Sequence, residues 1–378
     1  MNAAGVTLAK ALAETLAGVL AGLAATVMTG LSALMPGDGV DAARLMQPDP
    51  APNLQAYHLF VGGDVRTPVP DLIPYSLNTP LFTDHAQKAR LLHLPPGTAL
   101  RYAGAGLPDF PVGSVLVKTF SYPADLRAPT IAVRPVETRL LIRKPEGWVA
   151  STYVWNAAGT DAVLKRAGTR IAIHVVDRTG QPLDIDYGVP NVNQCKTCHS
   201  VDGRLSPIGP KARNLNGSLD HGPGAENQLT HLSRIGVLTG APTAASIPRT
   251  AVWDDLAEPL PERARAYLDV NCGHCHNRQG FAGNSGLFLG GEYTYSDTDT
   301  QFLGSRLTYE SDEYRLGGGM LIPLSPVFRL GGYGERTNDP AALAVKGRLL
   351  KDRALRAKPA ERGVWSPPFD RRLDRKSV

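Results

Sequence analysis

The stretch TRLLIRKPEGWVASTYVW (residues 138–155) decides the fold, because it places a turn between two runs of β-forming residues. Lys144-Pro145-Glu146-Gly147 is typical of a tight turn, so the stretch predicts a β-hairpin. GSVLVKTFSY (113–122) predicts a further strand, and TRIAIHVVDRTGQPLDIDY (169–187) predicts a second hairpin that turns through residues 179–182. Several short strands with close turns predict an antiparallel sandwich or barrel-like domain over residues 57–190.

The pattern changes after Pro190. Residues 191–255 are rich in Gly, Asn and Pro with little periodicity, which is typical of loops. PERARAYLDVN (261–271) predicts a helix, because Ala264, Tyr267 and Leu268 share one face and a proline suits the first turn. This helix leads directly into Cys272.

The beginning of the chain has the composition of an export signal. Residues 15–35 are uncharged and rich in small apolar residues, Lys10 lies upstream and Pro36 ends the run. This pattern predicts a signal peptide or an N-terminal anchor over residues 1–36, with any membrane anchoring confined to residues 15–35. Residues 37–56 are rich in Pro, Gly and Ala and predict a linker.

The net charge of +5 is unevenly distributed. The last 38 residues hold eleven Lys and Arg against four Asp and Glu, so the basic character comes from a tail over residues 341–378. No motif combines aromatic and basic residues in the way that nucleic-acid-binding modules do. The composition therefore gives no indication of a nucleic-acid partner.

The four cysteines of the chain fall in two identical patterns. NQCKTCH holds Cys195 and Cys198, and NCGHCHN holds Cys272 and Cys275; a histidine directly follows the second cysteine in each. Structural disulfides are disfavoured, since a bridge within C-x-x-C closes too short a loop to stabilise much. A thioredoxin-like site needs a βαβ setting that is missing here. A four-thiolate zinc site would leave both histidines unexplained, and 73 residues separate its halves.

The C-x-x-C-H pattern is the signature of covalent c-type haem attachment. On a helical turn, residues i and i+3 share a face, so both sulfurs reach the two vinyl groups at one porphyrin edge. The following histidine then ligates iron, and its second ring nitrogen needs an acceptor. We therefore expect two haem c groups, one on Cys195 and Cys198 and one on Cys272 and Cys275. Their expected axial iron ligands are His199 and His276.

Seven stretches, in order along the chain, resemble a family of bacterial periplasmic diheme c-type cytochromes with an N-terminal β-rich region followed by two C-x-x-C-H haem segments. They are PYSLNTPLFTDHAQKARLLHLPPG (74–97), FPVGSVLVKTF (110–120), ETRLLIRKPEGWVASTYVWN (137–156), NQCKTCH (193–199), IGPKARNLNG (208–217), NQLTHLSRIGVL (227–238) and RARAYLDVNCGHCHN (263–277). The resemblance covers about residues 57–289. It implies an exported, periplasmic protein that transfers electrons between redox partner proteins. Residues 290–378 lack the Met-Met-Pro segment and final apolar helix that usually end such chains.

Together these observations predict an α+β protein: an N-terminal antiparallel β-sandwich or barrel-like domain, then mainly α and loop cytochrome c-like haem domains. The expected divisions are a signal peptide or anchor (1–36), a linker (37–56), a β-rich domain (57–190), a first haem segment (191–255), a second haem domain (256–340) and a basic, partly disordered tail (341–378).

Further haem contacts are expected at residues that lie near the attachment motifs in sequence. Similarity to small class I cytochromes c implies that the carbonyl of Pro210 accepts the ring N–H of His199. Met320, the one methionine after the first motif, is the first candidate for a distal ligand. His221 and His231 are weaker candidates, for which a surface or capping role is the alternative. Arg139, Arg143 and Lys144 have a solvated strand face as the expected environment and haem propionates as the alternative.

The expected function is electron transfer between periplasmic redox partners through two covalently bound haems. The alternative is a haem oxidoreductase of peroxidase-like type, in which one haem is five-coordinate and catalytic and the other relays electrons. No set of catalytic side chains is identified for that alternative.

Overall fold

The computed structural model describes residues 39–222, 224–283 and 288–292, and the backbone of three strands beyond them. The helices in these ranges are α1 (Ala42–Met46), α2 (Val192–His199), α3 (Ala212–Leu215), α4 (Gln228–Arg234) and α5 (Leu260–Asn271), with 3-10 turns at Leu54–Tyr57, Val61–Gly63 and Ala244–Ser246. The strands are β1 (Ile73–Pro74), β2 (Gln87–His93), β3 (Leu100–Arg101), β4 (Val115–Tyr122), β5 (Arg134–Lys144), β6 (Gly147–Trp155), β7 (Ala162–Leu164), β8 (Thr169–Val176), β9 (Pro182–Val189), β10 (Ser200–Val201), β11 (Arg204–Leu205), β12 (Ser218–Asp220), β13 (Ala225–Asn227), β14 (Leu238–Thr239), β15 (Thr308–Glu310), β16 (Glu313–Leu316) and β17 (Met320–Pro323).

The hairpin predicted over 138–155 is confirmed and forms the middle of the largest sheet. Lys144 pairs with Gly147, which leaves Pro145 and Glu146 as the turn between β5 and β6. Six strands lie in the order β1-β2-β4-β5-β6-β7, and every pair in this sheet is antiparallel. The second predicted hairpin is also confirmed, as β8 and β9.

The predicted mixture of helices and antiparallel strands is confirmed, but a closed barrel does not form in the part of the chain that the structure describes. The main sheet is open, with β1 and β7 at its edges. β1 has only two residues, and Pro74 has no backbone N–H to donate to another strand. β8 and β9 form a separate two-stranded sheet that packs on the main sheet instead of extending it.

One face of the sheet is covered by residues that precede it in the chain. Inward-facing side chains such as Val117, Leu140 and Tyr153 pack there against Leu54 and Tyr57, and we call this cluster the first core. The phenol oxygens of Tyr57 and Tyr153 lie 3.0 Å apart inside it. The sequence predicted a linker over 37–56. The structure places much of this segment in the first core, because its scattered apolar residues cover the sheet.

The opposite face of the sheet carries two separate clusters, because strand residues alternate between faces. The second core joins Leu92 and Leu116 of the sheet to Leu215, Leu229 and Leu232 of α3 and α4. It therefore crosses residue 190, where the sequence changes character. The third core lies at the other end of this face.

The third core joins Phe120 and Tyr122 to Ile173, Tyr187 and Val189 of the β8-β9 hairpin. This hairpin ends at Val189 and α2 begins at Val192, so the third core determines where the first attachment motif begins. No helix within the described ranges is long and apolar enough to span a membrane. The predicted signal segment and the basic tail lie outside the described residues.

Candidate functional site

The first C-x-x-C-H motif forms the second half of α2. Asn191 begins this helix with reciprocal hydrogen bonds: its side chain accepts from the Gln194 N–H at 3.0 Å, and its own N–H donates to the Gln194 side chain at 2.8 Å. Cys195 and Cys198 are therefore one helical turn apart on one face, as haem attachment requires. His199 is the last residue of the helix.

The ring of His199 is held by a backbone carbonyl, although not by the predicted one. Nδ1 of His199 donates to the carbonyl oxygen of Ser206 at 2.8 Å. Pro210, expected in this role, instead packs among Tyr75, Leu92 and other apolar residues of the second core. An N–H held at Nδ1 leaves Nε2 with its lone pair, which is the form that ligates a metal.

A tight hairpin brings Ser206 back to His199. β10 and β11 pair antiparallel through Asp202-Gly203, and both turn residues have positive φ, 49° and 74°. Asp-Gly is the preferred pair for such two-residue turns, because glycine takes positive φ without steric cost. The sequence SVDGRL therefore predicts the turn that brings Ser206 to His199, but the prediction from sequence did not include Ser206.

The protonation state of His199 suits metal binding. Burial, and the nearby charge of Lys118, lower the pKa of His199 to about 3. The imidazole is therefore neutral near neutral pH.

The second motif follows the end of α5, as the sequence predicted. The N–H groups of Cys275 and His276 donate to the carbonyl of Cys272 at 3.0 and 2.9 Å, so the chain turns tightly through the motif. Burial raises the pKa of Cys272 to about 11, which keeps it a thiol.

A buried ion pair positions α5. The Asp269 carboxylate accepts from Arg213 Nε and Nη2 at 3.0 and 2.9 Å and lies 3.4 Å from Lys211 Nζ. Asp269 is also bonded by the N–H of Gly291 at 2.8 Å. Burial by itself raises the pKa of Asp269, but Lys211 and Arg213 outweigh it and hold that pKa below its usual value. This contact fixes α5, and hence Cys272, to α3.

The two motifs meet in space. One ligand atom from each of Cys198, His274 and Cys275 lies within 4.8 Å of the others. All four cysteines are free thiols. Hydrogen bonding with Cys275 and His274 lowers the pKa of Cys198, while the same bond and burial raise the pKa of Cys275. The 73 intervening residues thus return the chain to its first motif, a proximity that the sequence did not predict.

A row of cations crosses the sheet between the second and third cores. Arg90 pairs with Lys118, Lys118 pairs with Arg139, and Arg139 pairs with Thr152, so these side chains lie side by side on four strands. We call Arg90, Lys118 and Arg139 the cation row. Of these three residues, the sequence singled out only Arg139, and its expected environment was a solvated strand face. In the structure its side chain is only 18% exposed.

The cation row lies beside the first motif. α2, which carries this motif, packs against β6, the strand beside that of Arg139. The charge of Arg139 acts on Cys195 and Cys198, and the charge of Lys118 acts on Cys195 and His199. Burial lowers the pKa of Lys118 well below its usual value, and Arg139 and Arg90 lower it further. The motif therefore faces a half-buried, positively charged strip of sheet.

His221 and His231 contact each other, and no described contact joins either ring to a motif. The rings of His221 and His231 stack in parallel with centroids 3.6 Å apart. His231 Nδ1 lies 2.6 Å from a Glu226 carboxylate oxygen, which also accepts from Arg234. Met320 begins strand β17, where it pairs with Leu316, and its side chain lies outside what is described.

Comparisons with models of known protein families, with curated proteins and with solved structures find no match for this chain. The geometry of the two motifs and of the sheet beside them is therefore the basis for inferring a function.

Proposed function

We propose that this chain is a periplasmic diheme c-type cytochrome that transfers electrons between redox partner proteins. The observation that carries the proposal is that all four cysteines occur as two C-x-x-C-H motifs that adjoin in space. One haem binds covalently to Cys195 and Cys198, and the other to Cys272 and Cys275. His199 and His276 are the axial ligands.

The residues around the first motif fit this group. The cysteines share one helix face, and both are partly buried free thiols. His199 is neutral, and its Nδ1–H donates to the Ser206 carbonyl. Its Nε2 therefore keeps a lone pair for the metal, and the hydrogen bond fixes the orientation of the ring. When bound, haem supplies a one-electron ferric/ferrous couple. The chain's own residues hold the imidazole, limit water access and set the local charge.

The adjacency of the motifs supports transfer within the chain. Cys198 of one motif contacts Cys275 and His274 of the other, so groups held by the two motifs would lie close together. The Asp269–Arg213 pair and the backbone bond from Asp202 N–H to the Gln279 carbonyl, 3.2 Å, hold this arrangement. An electron that enters one haem then has a short path to the other.

The first experiment is production of the full chain in a host that exports proteins and attaches haem in the periplasm. The denatured chain is expected to exceed its apoprotein mass by two haems, which acidified organic solvent does not extract. Replacing Cys195 and Cys198 by Ser should remove one haem, and replacing Cys272 and Cys275 should remove the other. His58→Ala, at an exposed position that follows the first 3-10 turn and precedes both motifs, is the control that retains both.

A colourless, correctly exported chain would refute the proposal. If that chain bound one zinc ion, a second candidate would replace it, because Cys198, His274 and Cys275 form a group of metal-ligand type. Ferric and ferrous spectra with cyanide or carbon monoxide separate the electron carrier from the haem oxidoreductase. Two unreactive low-spin haems support the carrier, and one haem that binds the added ligand supports the enzyme.

A further inference from the structure

The cation row is an unusual arrangement for the middle of a sheet. Like charges that lie directly opposite on neighbouring strands repel each other. Arg90, Lys118 and Arg139 nevertheless lie in one such row, and Lys88 stands one pleat further along the same face. Burial, together with the charges of Arg90 and Arg139, lowers the pKa of Lys88 to about 7.

Among the described residues, one carboxylate, that of Glu137, contacts the row, and only its Oε1 is hydrogen-bonded. Glu137 is fully buried and accepts hydrogen bonds from Arg139 and from the Tyr187 hydroxyl. It therefore lies at the end of this face where the third core is found. Within the described ranges, the side chain of Arg90 donates only to a backbone carbonyl, that of Lys88, at 3.2 Å. Lys118 has neither a hydrogen bond nor an ion pair with any residue that the structure describes.

Aromatic contacts do not replace a counter-ion here. Lys118 Nζ lies 5.0 Å from the ring centre of Phe120, and Cζ of Arg139 lies 4.4 Å from the same ring centre. Such contacts stabilise a cation by less than the removal of an ion from water costs. The row thus has the properties of a site for an anionic group.

We propose that the cation row binds the propionate carboxylates of the haem attached to Cys195 and Cys198. This inference rests on the proposed function. It explains why the row lies beside α2 and is not covered by either core: the cations suit the two carboxylates at one edge of the porphyrin. Lys118 and Arg90 supply the unused charge, and Arg139 links the site to Glu137.

The test compares holoproteins that differ at Lys118. In Lys118→Gln, the propionate bending band of the haem in the resonance Raman spectrum is expected to shift, because the carboxylate loses its charged partner. The reduction potential of one of the two haems should fall, since a lost cation favours the ferric state. Lys118→Arg keeps the charge and should retain the native band and potential.

Lys196→Gln is the matched control. It removes the same charge from α2 itself, between the two cysteines, but from an exposed position. Because water and salt screen exposed charges, the band should not shift and the potential should change less than in Lys118→Gln. Arg90→Gln provides a second variant on the row and should reproduce the Lys118→Gln result.

The outcomes separate this inference from the proposed function. A native chain without covalent haem refutes the proposed function. Native, Lys118→Gln and Arg90→Gln proteins that all hold two haems with the same band and potentials refute the propionate site alone. If Lys118→Gln loses one haem while Lys118→Arg retains both, charge is what matters and the site is supported. If both Lys118 variants lose it, the lysine acts through packing and the inference is wrong.

Discussion

Replacement of Asp269 by alanine tests how the second motif is held in place. The Asp269 and Arg213 side chains are only 4% and 10% exposed, and two hydrogen bonds join them. Breaking a buried pair by removing one partner costs about 3–5 kcal/mol, because the other charge stays buried. Glu292 lies 3.1 Å from Arg213 and is half-exposed, so it remains as a partial partner. We therefore expect Asp269→Ala to lower the free energy of unfolding by about 3 kcal/mol.

Urea unfolding followed by circular dichroism measures this loss. With a slope of about 3 kcal/mol per molar urea, the midpoint should fall by about 1 M. Asp186→Ala is the control, because its ion pair with Arg170 is exposed and such pairs contribute about 0–1 kcal/mol. The double variant Arg213→Met/Asp269→Leu should regain most of the loss, since no charge remains buried.

The pH dependence gives a second check on the same pair. The pKa of Asp269 is lower in the folded chain than in the unfolded one, so its contribution is fully present above the unfolded pKa of about 3.9. It is lost as pH falls through the lowered folded pKa. The difference between the native chain and Asp269→Ala should therefore shrink in that range. A midpoint for Asp269→Ala equal to that of Asp186→Ala at pH 7 would refute the reasoning.

Three other predictions concern the core, a turn and the thiols. Leu140→Ala, at a fully buried position of the first core, should lower the free energy of unfolding by about 2–5 kcal/mol in the same urea assay. Gly168→Ala should lower the melting temperature more than Gly97→Ala does. Both glycines have positive φ, but an added Cβ at Gly168 would lie 2.6 Å from the Val189 carbonyl, whereas one at Gly97 would meet nothing within 4 Å. Equal melting temperatures would contradict this prediction. In chain produced without haem attachment, iodoacetamide should label Cys198 faster than Cys272, because only the former has a lowered pKa; peptide mass spectrometry measures the rates, and equal labelling would show that the thiols do not differ.

Local patterns in the sequence were enough to predict the hairpins and the helix that precedes Cys272. The turn 144–147 and the helix over 261–271 depend on residues close in the chain, and both occur where predicted. The linker over 37–56 could not be distinguished from core by composition. Leu45, Leu54 and Tyr57 are too widely spaced to show a period, and only the shape of the sheet makes them inward-facing.

The motif residues of the candidate site follow from the sequence, but their surroundings do not. Cysteine spacing identifies both motifs, whereas the approach of His274 and Cys275 to Cys198 depends on contacts across 73 residues. The sequence does not predict the cation row, because strand register, not residue spacing, aligns Arg90 with Lys118 and Arg139. The carbonyl beside His199 was assigned by analogy to Pro210, although the local Asp-Gly turn leads to Ser206.

The parallel pairing of β3 with β14 sets the order in which the chain can fold. It joins Leu100 to Leu238, so the second core closes only after a very long loop has been brought together. Distant pairings of this kind raise contact order and slow folding. Until residues near 238 arrive, Leu92 and Leu116 stay uncovered on the growing sheet, where they invite aggregation. The incomplete sheet therefore needs protection from aggregation until the later segments of the chain have been synthesised and have packed on it.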